Sequence, residues 1–228
     1  MAELIIVPTS HVAGQSVANV KHAIERENPD CVAVELDISR YHYLRERRGE
    51  SPFTIMRTMG VSAFLVYILL KRFQNYFGRK TGILPGSEMR EAVEKAKEMG
   101  LAVAFVDQPI QITLLKIRTI PLREKMKLLW LLAKSVLGIV WPWDKRVEID
   151  LNRVPSKGII DYSMNYFRKE LPNFYRVLVS ERDEVMARNL KELSKRFNKI
   201  VCVIGAGHET GMKNLLRVNV KFKRYAMA

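Results

Sequence analysis

Apolar positions along the chain follow two alternating periods, and the alternation has an order. "ELIIVP" (3–8) and "CVAVELD" (31–37) are short, apolar and rich in β-branched residues, as buried strands are. Between them, "QSVANVKHAIEREN" places Val17, Val20 and Ile24 near helical spacing and stops before Pro29. Strand, helix and strand in that order predict a parallel pair joined by a right-handed crossover. A second unit begins at "GSEMREAVEKAKEMG". There Ser87 is placed to cap a helix, Met89, Ala92, Val93 and Ala96 share one face, and Gly100 closes it. "LAVAFVD" then reads as a further buried strand. A long helix is expected from about Leu178 to Phe197, followed by the strand "KIVCVIG", a turn, a short helix and a strand-like "RVNVKFKRY". The pattern predicts an α/β fold: a largely parallel central sheet flanked by helices.

Two segments do not fit that sheet. Thr58 to Leu70 carries no charge, and Leu128 to Trp143 is broken only by Lys134. A membrane span needs roughly 17–25 apolar residues, so neither run predicts one. They read instead as an inserted helical subdomain, covering approximately 51–82 and 110–175 of a single domain over 1–228. A homodimer contact or a membrane-facing surface are the other readings. The basic neighbours Lys71, Arg72, Arg79, Lys80, Lys145 and Arg146, with Trp130, Trp141 and Trp143, suit a membrane surface.

Composition narrows the function classes. The chain of 228 residues is 48% hydrophobic, a globular value, and its start lacks the basic region and long apolar run of a signal peptide. A net charge of +14 admits nucleic acid or anionic membrane. No zinc-finger, KH or RRM signature accompanies it, so no nucleic-acid partner is expected. Between Lys116 and Lys134 six basic residues face one acid, Glu124. Cys31 and Cys202 sit inside apolar strand runs and read as reduced core residues. That favours a cytoplasmic or peripheral-membrane setting.

Ligands of a parallel sheet bind beyond the carboxyl ends of its strands. The first strand delivers Thr9, Ser10 and His11 there. The second delivers Glu35 and Asp37 with Arg40 just after, the third Asp107, and the last His208. Imidazole with carboxylate is a ligand set for Zn, Mn, Co or Fe, and a metal with an open position supports hydrolysis. Arg40 would then hold an anionic group. His22 and His42 lie on helical stretches and read as structural residues. The turn "GAGHETG" has Gly205 and Gly207 in place for a dinucleotide fingerprint, but the third glycine, Gly211, falls one position late. The glycines read instead as a sharp backbone turn that presents His208.

Taken in order, "TSHVAGQSVANV", "PDCVAVELDISRYHYL", "PGSEMREAVEKAKEMGLAVAFVDQPIQITL", "ERDEVMARNL" and "IGAGHETG" resemble the TraB/PrgY/Tiki family. Its paired Gly-x-x-His motifs map onto Pro8 to His11 and Gly205 to His208, and its acidic position onto Glu35. The resemblance implies an EreA/ChaN-like α/β fold and a metal-dependent hydrolase, a peptidase acting on a peptide or extended protein segment with Mn, Co or Zn. The alternative it implies is a protein that sequesters a peptide signal or binds a membrane partner. His11, Glu35 and His208 become the expected metal ligands. Glu35, Arg40, Asp107 and Arg182 become the expected catalytic or substrate-orienting groups. Pro8 stands where the family has glycine, and Gln108 follows Asp107 where the family commonly has arginine.

Overall fold

A computed structural model describes residues 2–9, 14–46, 56–57, 60–61, 64, 67–68, 86–136, 157–216 and 220–223. Five strands, β1 (Glu3–Thr9), β2 (Cys31–Val34), β3 (Ala102–Phe105), β4 (Lys199–Gly205) and β5 (Val220–Phe222), form one sheet in the order β3-β2-β4-β1-β5. Every pairing is parallel, as the apolar runs predict. Two expectations need correction. β1 and β2 do not pair, because β4 lies between them and pairs with both. β3 is an edge strand, only half buried along its length.

Residue alternation along the strands divides the core into two layers. Ile5, Val7, Val32, Val34, Val201 and Val203 face α1 (Gly14–Glu27), α2 (Ile38–Glu46) and α3 (Ser87–Glu98), with Met89, Ala92, Val93 and Ala96 buried there as expected. Leu4, Ile6, Cys31, Ala33, Ile200, Cys202 and Ile204 face the opposite layer of α8 (Glu181–Leu193) and α9 (Glu209–Leu216). Both cysteines are unpaired and buried, and burial pushes the Cys31 thiol up to about 11.

The start of α3 differs from expectation. Gly86, at φ 85°, takes the cap position with no side-chain bond, so Ser87 is already the first helical residue. Gly100 (φ 67°) ends this helix in the left-handed conformation that glycine adopts without strain.

A third apolar cluster joins α4 (Ile110–Thr119), α5 (Leu122–Val136) and α7 (Pro172–Tyr175) through Leu114, Ile117, Leu128 and Phe174, with α6 (Lys157–Glu170) contributing Phe167 at its margin. Phe64 and Tyr67 pack on it from the 58–70 run. The rest of that run, and Trp141, Trp143 and the basic residues 71–80 and 145–146, lie outside the described residues. No helix among the described residues is long and apolar enough to cross a membrane.

The long helix begins earlier than its apolar period suggests. α7 continues through a π turn at Arg176–Ser180 into α8. Such turns shift the register of everything that follows by a fraction of a turn. Here they set the angle of the two residues that matter most at the rim.

Leu190 is fully buried between α8 and the sheet. Leu190→Ala should cost about 2–5 kcal/mol in urea unfolding, since it leaves a cavity in a packed layer. A cost under 1 kcal/mol would mean this layer is not the tight core described.

Candidate active site

Glu35 leaves the end of β2 with its backbone N–H bonded to Val203 O at 3.0 Å, which fixes the side chain over β4. Oε2 accepts the Gly205 N–H at 2.6 Å. Oε1 faces His208 Nε2 at 3.1 Å and also receives the Arg182 guanidinium. Glu35 is buried, so its charge needs those partners: an unpaired carboxylate there would be far less stable than in water.

His208 sits in a single 3-10 turn (Ala206–His208) between β4 and α9. Its Nδ1 lies 2.5 Å from Asp183 Oδ1, so both ring nitrogens face carboxylates. Burial pushes the imidazole pKa down. The charge of Glu35 and the bonds to Asp183 and Glu35 outweigh it and carry it up to about 9. Arg182 and Asp183 are consecutive on α8 and point about 100° apart. One therefore reaches Glu35 and Asp107 while the other holds His208.

Arg182 also donates to Asp107 (Nε to Oδ1, 3.1 Å; Nη2 to Oδ2, 2.7 Å), and its Nη1 donates to Leu178 O in the π turn at 3.1 Å. Arg40 completes the group, with Nη1 2.9 Å from Asp107 Oδ2. Its side chain is 33% exposed, against 14% for Arg182, so Arg40 is the cation a ligand can reach. Asp37, which its position alone places among the rim acids, instead caps α2. Its Oδ1 accepts the N–H groups of Ser39 (2.9 Å) and Arg40 (3.2 Å). The cap sets the first turn of α2 and so directs Arg40.

The rim thus joins Glu35, Arg40, Asp107, Arg182 and His208. His11 and Ser10 lie outside the described residues, and Thr9 uses its hydroxyl to close the β1–β4 end on Ile204 O at 3.1 Å. His22 and His42 are exposed on α1 and α2. Gln108 turns away from the cluster and bonds Thr113 at 2.8 Å. Sequence reasoning missed Asp183, whose signal was its place beside Arg182.

The turn presents His208 as expected, but not through left-handed glycines. Gly205 is extended at φ −62°, and the positive-φ glycines among the described residues are Gly60, Gly86 and Gly100. What Gly211 supplies is room: a Cβ there would stand 1.9 Å from Asp183 Oδ2. Gly205 supplies the N–H that holds Glu35.

The family model described as TraB/PrgY/gumN matches residues 2–137 and 147–220. The chain belongs to the TraB/PrgY/gumN family. It is 34% identical over 218 residues to an uncharacterized protein of Methanocaldococcus jannaschii, a match covering 94% of this chain and 53% of that protein. It is also 26% identical over 240 residues to a TraB domain-containing protein of Bos taurus (93% of this chain, 62% of the relative) and 25% identical, with the same coverage, to one of Homo sapiens. The chain therefore spans little more than half the length of these TraB relatives.

A divalent ion can be tested against this TraB rim. Two ligand atoms each about 2.1 Å from one ion and at a right angle stand roughly 3 Å apart. Glu35 Oε1 and His208 Nε2 are 3.1 Å apart. Asp183 behind Nδ1 stands where a carboxylate would orient an imidazole if Nε2 held a metal. The pair fits as adjacent ligands, with Arg182 competing for the same Glu35 oxygen. Among the described residues no group of three or more His, Cys, Asp or Glu is arranged to hold a metal.

Gly211→Ala should displace Asp183 and destabilise the protein by about 1–3 kcal/mol. It should also bring the His208 titration, followed by imidazole NMR, down from about 9 towards its ordinary value. Gly207→Ala is the control, since its Cβ meets only the flexible end of Met164 at 3.3 Å. An unchanged His208 titration in Gly211→Ala would show that Asp183 does not depend on that space.

With metal chelated, the raised His208 pKa also fixes a pH dependence. The fold binds this proton more tightly than the open chain does. The stability it contributes is complete below the unfolded value of roughly 6.5 and is lost as pH rises through about 9. Thermal melts of wild type should fall across that window, and those of His208→Gln should lack that fall. Parallel profiles would rule out a charged imidazole in the fold.

Proposed function

We propose that the chain is a metal-dependent hydrolase acting on a peptide or extended protein segment, with Glu35 and His208 at its centre. The observation that carries this reading is the His208 ring held at Nδ1 by Asp183 while Nε2 faces Glu35 Oε1 at 3.1 Å. Both ring nitrogens are committed to buried carboxylates at the end of a parallel strand, where this fold class places its chemistry.

Glu35 and His208, with His11, are the residues that would hold Mn, Co or Zn. Such an ion would acidify a bound water and polarise a carbonyl. The chain's own groups divide the remaining work. Gly205 N–H and Arg182 keep Glu35 in one orientation. Asp107 fixes both arginines, leaving the partly exposed guanidinium of Arg40 to hold a carboxylate or a developing oxyanion of the substrate.

One observation favours a second reading, capture of a peptide without chemistry. With His208 protonated, the three carboxylates Glu35, Asp107 and Asp183 are matched by Arg40, Arg182 and the imidazolium. The cluster is then balanced without an added ion.

Calorimetry with Mn, Co and Zn separates the two. Uptake of one ion per chain that Glu35→Gln and His208→Ala each weaken at least about 10-fold, the usual scale for losing a ligand or its support, together with peptide cleavage lost in the same variants, supports the hydrolase. Peptide binding that persists unchanged in chelator, with no metal uptake, assigns the rim to capture.

A further inference from the structure

α5 carries a surface that the rim does not explain. Leu122, Met126 and Trp130 follow one another at a spacing of four residues, which puts them on one stripe of the helix. They are 62%, 56% and 55% exposed. Arg123 and Lys127 repeat the same spacing one residue on and are also exposed, so a cationic row runs beside the apolar one.

The charge here is one-sided by construction. Glu124, the single acid of α4 and α5, is turned inward: it accepts Asn173 N–H (2.8 Å), Asn173 Nδ2 (2.7 Å) and Phe174 N–H (3.0 Å) and so caps α7. Lys125 is turned inward as well, donating to Arg118 O at 2.9 Å. Lys116 and Lys127 hold Glu181 and Glu170. Arg118 and Arg123 are exposed and make no ion pair among the described residues. Every exposed charge on the described part of α4 and α5 is therefore positive.

We propose that the outer stripe of α5 rests on an anionic lipid bilayer, with Leu122, Met126 and Trp130 at the level of the headgroups and Arg123 on lipid phosphate and carboxylate. Three features point to lipid. Over its described residues, Leu122–Val136, the helix is too short and too charged to span, and its exposed stripe suits lying in the interface. Tryptophan at the end of an apolar stripe favours the boundary between water and hydrocarbon. Arg123, which makes no ion pair among the described residues, complements a surface of negative charge and not a copy of this chain, whose own α5 stripe is flanked by the same sign.

Sedimentation of the full chain with vesicles tests this, using phosphatidylcholine alone and phosphatidylcholine with phosphatidylserine, each at low and raised salt. Binding is expected only with phosphatidylserine present and should fall as salt rises. Arg123→Glu should weaken it roughly 10-fold at low salt, since it reverses a charge at the surface. Met126→Ser/Trp130→Ser should abolish it, and Met126→Ser alone, at an exposed position, should weaken it while leaving thermal melts unchanged. In a Trp141→Phe/Trp143→Phe background, Trp130 emission should move to shorter wavelength on adding anionic vesicles. Three results would overturn the proposal: no sedimentation with either vesicle, undiminished binding by Met126→Ser/Trp130→Ser, or equal binding to both vesicles at all salt concentrations. A dimer in light scattering that the double variant converts to monomer would assign the stripe to self-association and overturn it as well.

Discussion

The guanidinium of Arg182 is the contact on which the rest of the rim depends. It lies between two buried carboxylates, Glu35 at the end of β2 and Asp107 beyond β3, and it comes from a helix on one side of the sheet. Burial alone would make such a cation costly, yet the charges of Glu35 and Asp107 hold its proton more firmly than water does. Removing any one member would leave the others as uncompensated charge in a dry site, an arrangement that costs several kcal/mol in general. The π turn before it belongs to the same device, because its Leu178 carbonyl receives the third edge of the guanidinium. Strand ends, helix register and charge balance are thereby settled together.

Much of the fold was legible for a simple reason. A strand buried on both faces in a parallel sheet must be apolar along its whole length, so β1, β2 and β4 stand out as continuous runs. Their lateral order was not legible. Nothing in periodicity says that the apolar run at 199–205 will lie between the first two strands, and β3 looks as apolar as the others although it forms the edge. At the rim, Glu35, Arg40, Asp107 and His208 were readable because strand ends and the turns after them are where polar residues meet. Asp183 was not, since an acid in the first turn of a helix already has an explanation in the helix dipole. Gly211 was visible only as a glycine. The space it leaves for Asp183 is a property of two helices meeting and leaves no local pattern.

Among the described residues, the basic groups of the rim and of α5 differ in kind. At the rim, arginines are answered by carboxylates within hydrogen-bond distance, and the charge is spent internally. On α5 the acid and one lysine are folded inward while Arg123 faces out. Among the described residues, arginines matched by carboxylates at the rim thus contrast with a helix surface whose exposed charges are all positive.

The position of β4 has a consequence for how the protein comes into being. Both neighbours of β1 in the sheet, β4 (Lys199–Gly205) and β5 (Val220–Phe222), lie far beyond it along the chain. A growing polypeptide must therefore carry β1 without either of these hydrogen-bonding companions until residues 199–205 have been made. Pairings so distant along the chain are slow to form, and an uncovered strand is a template for the wrong neighbour. The same late segment carries His208, so assembly of the scaffold and arrival of the imidazole are a single event.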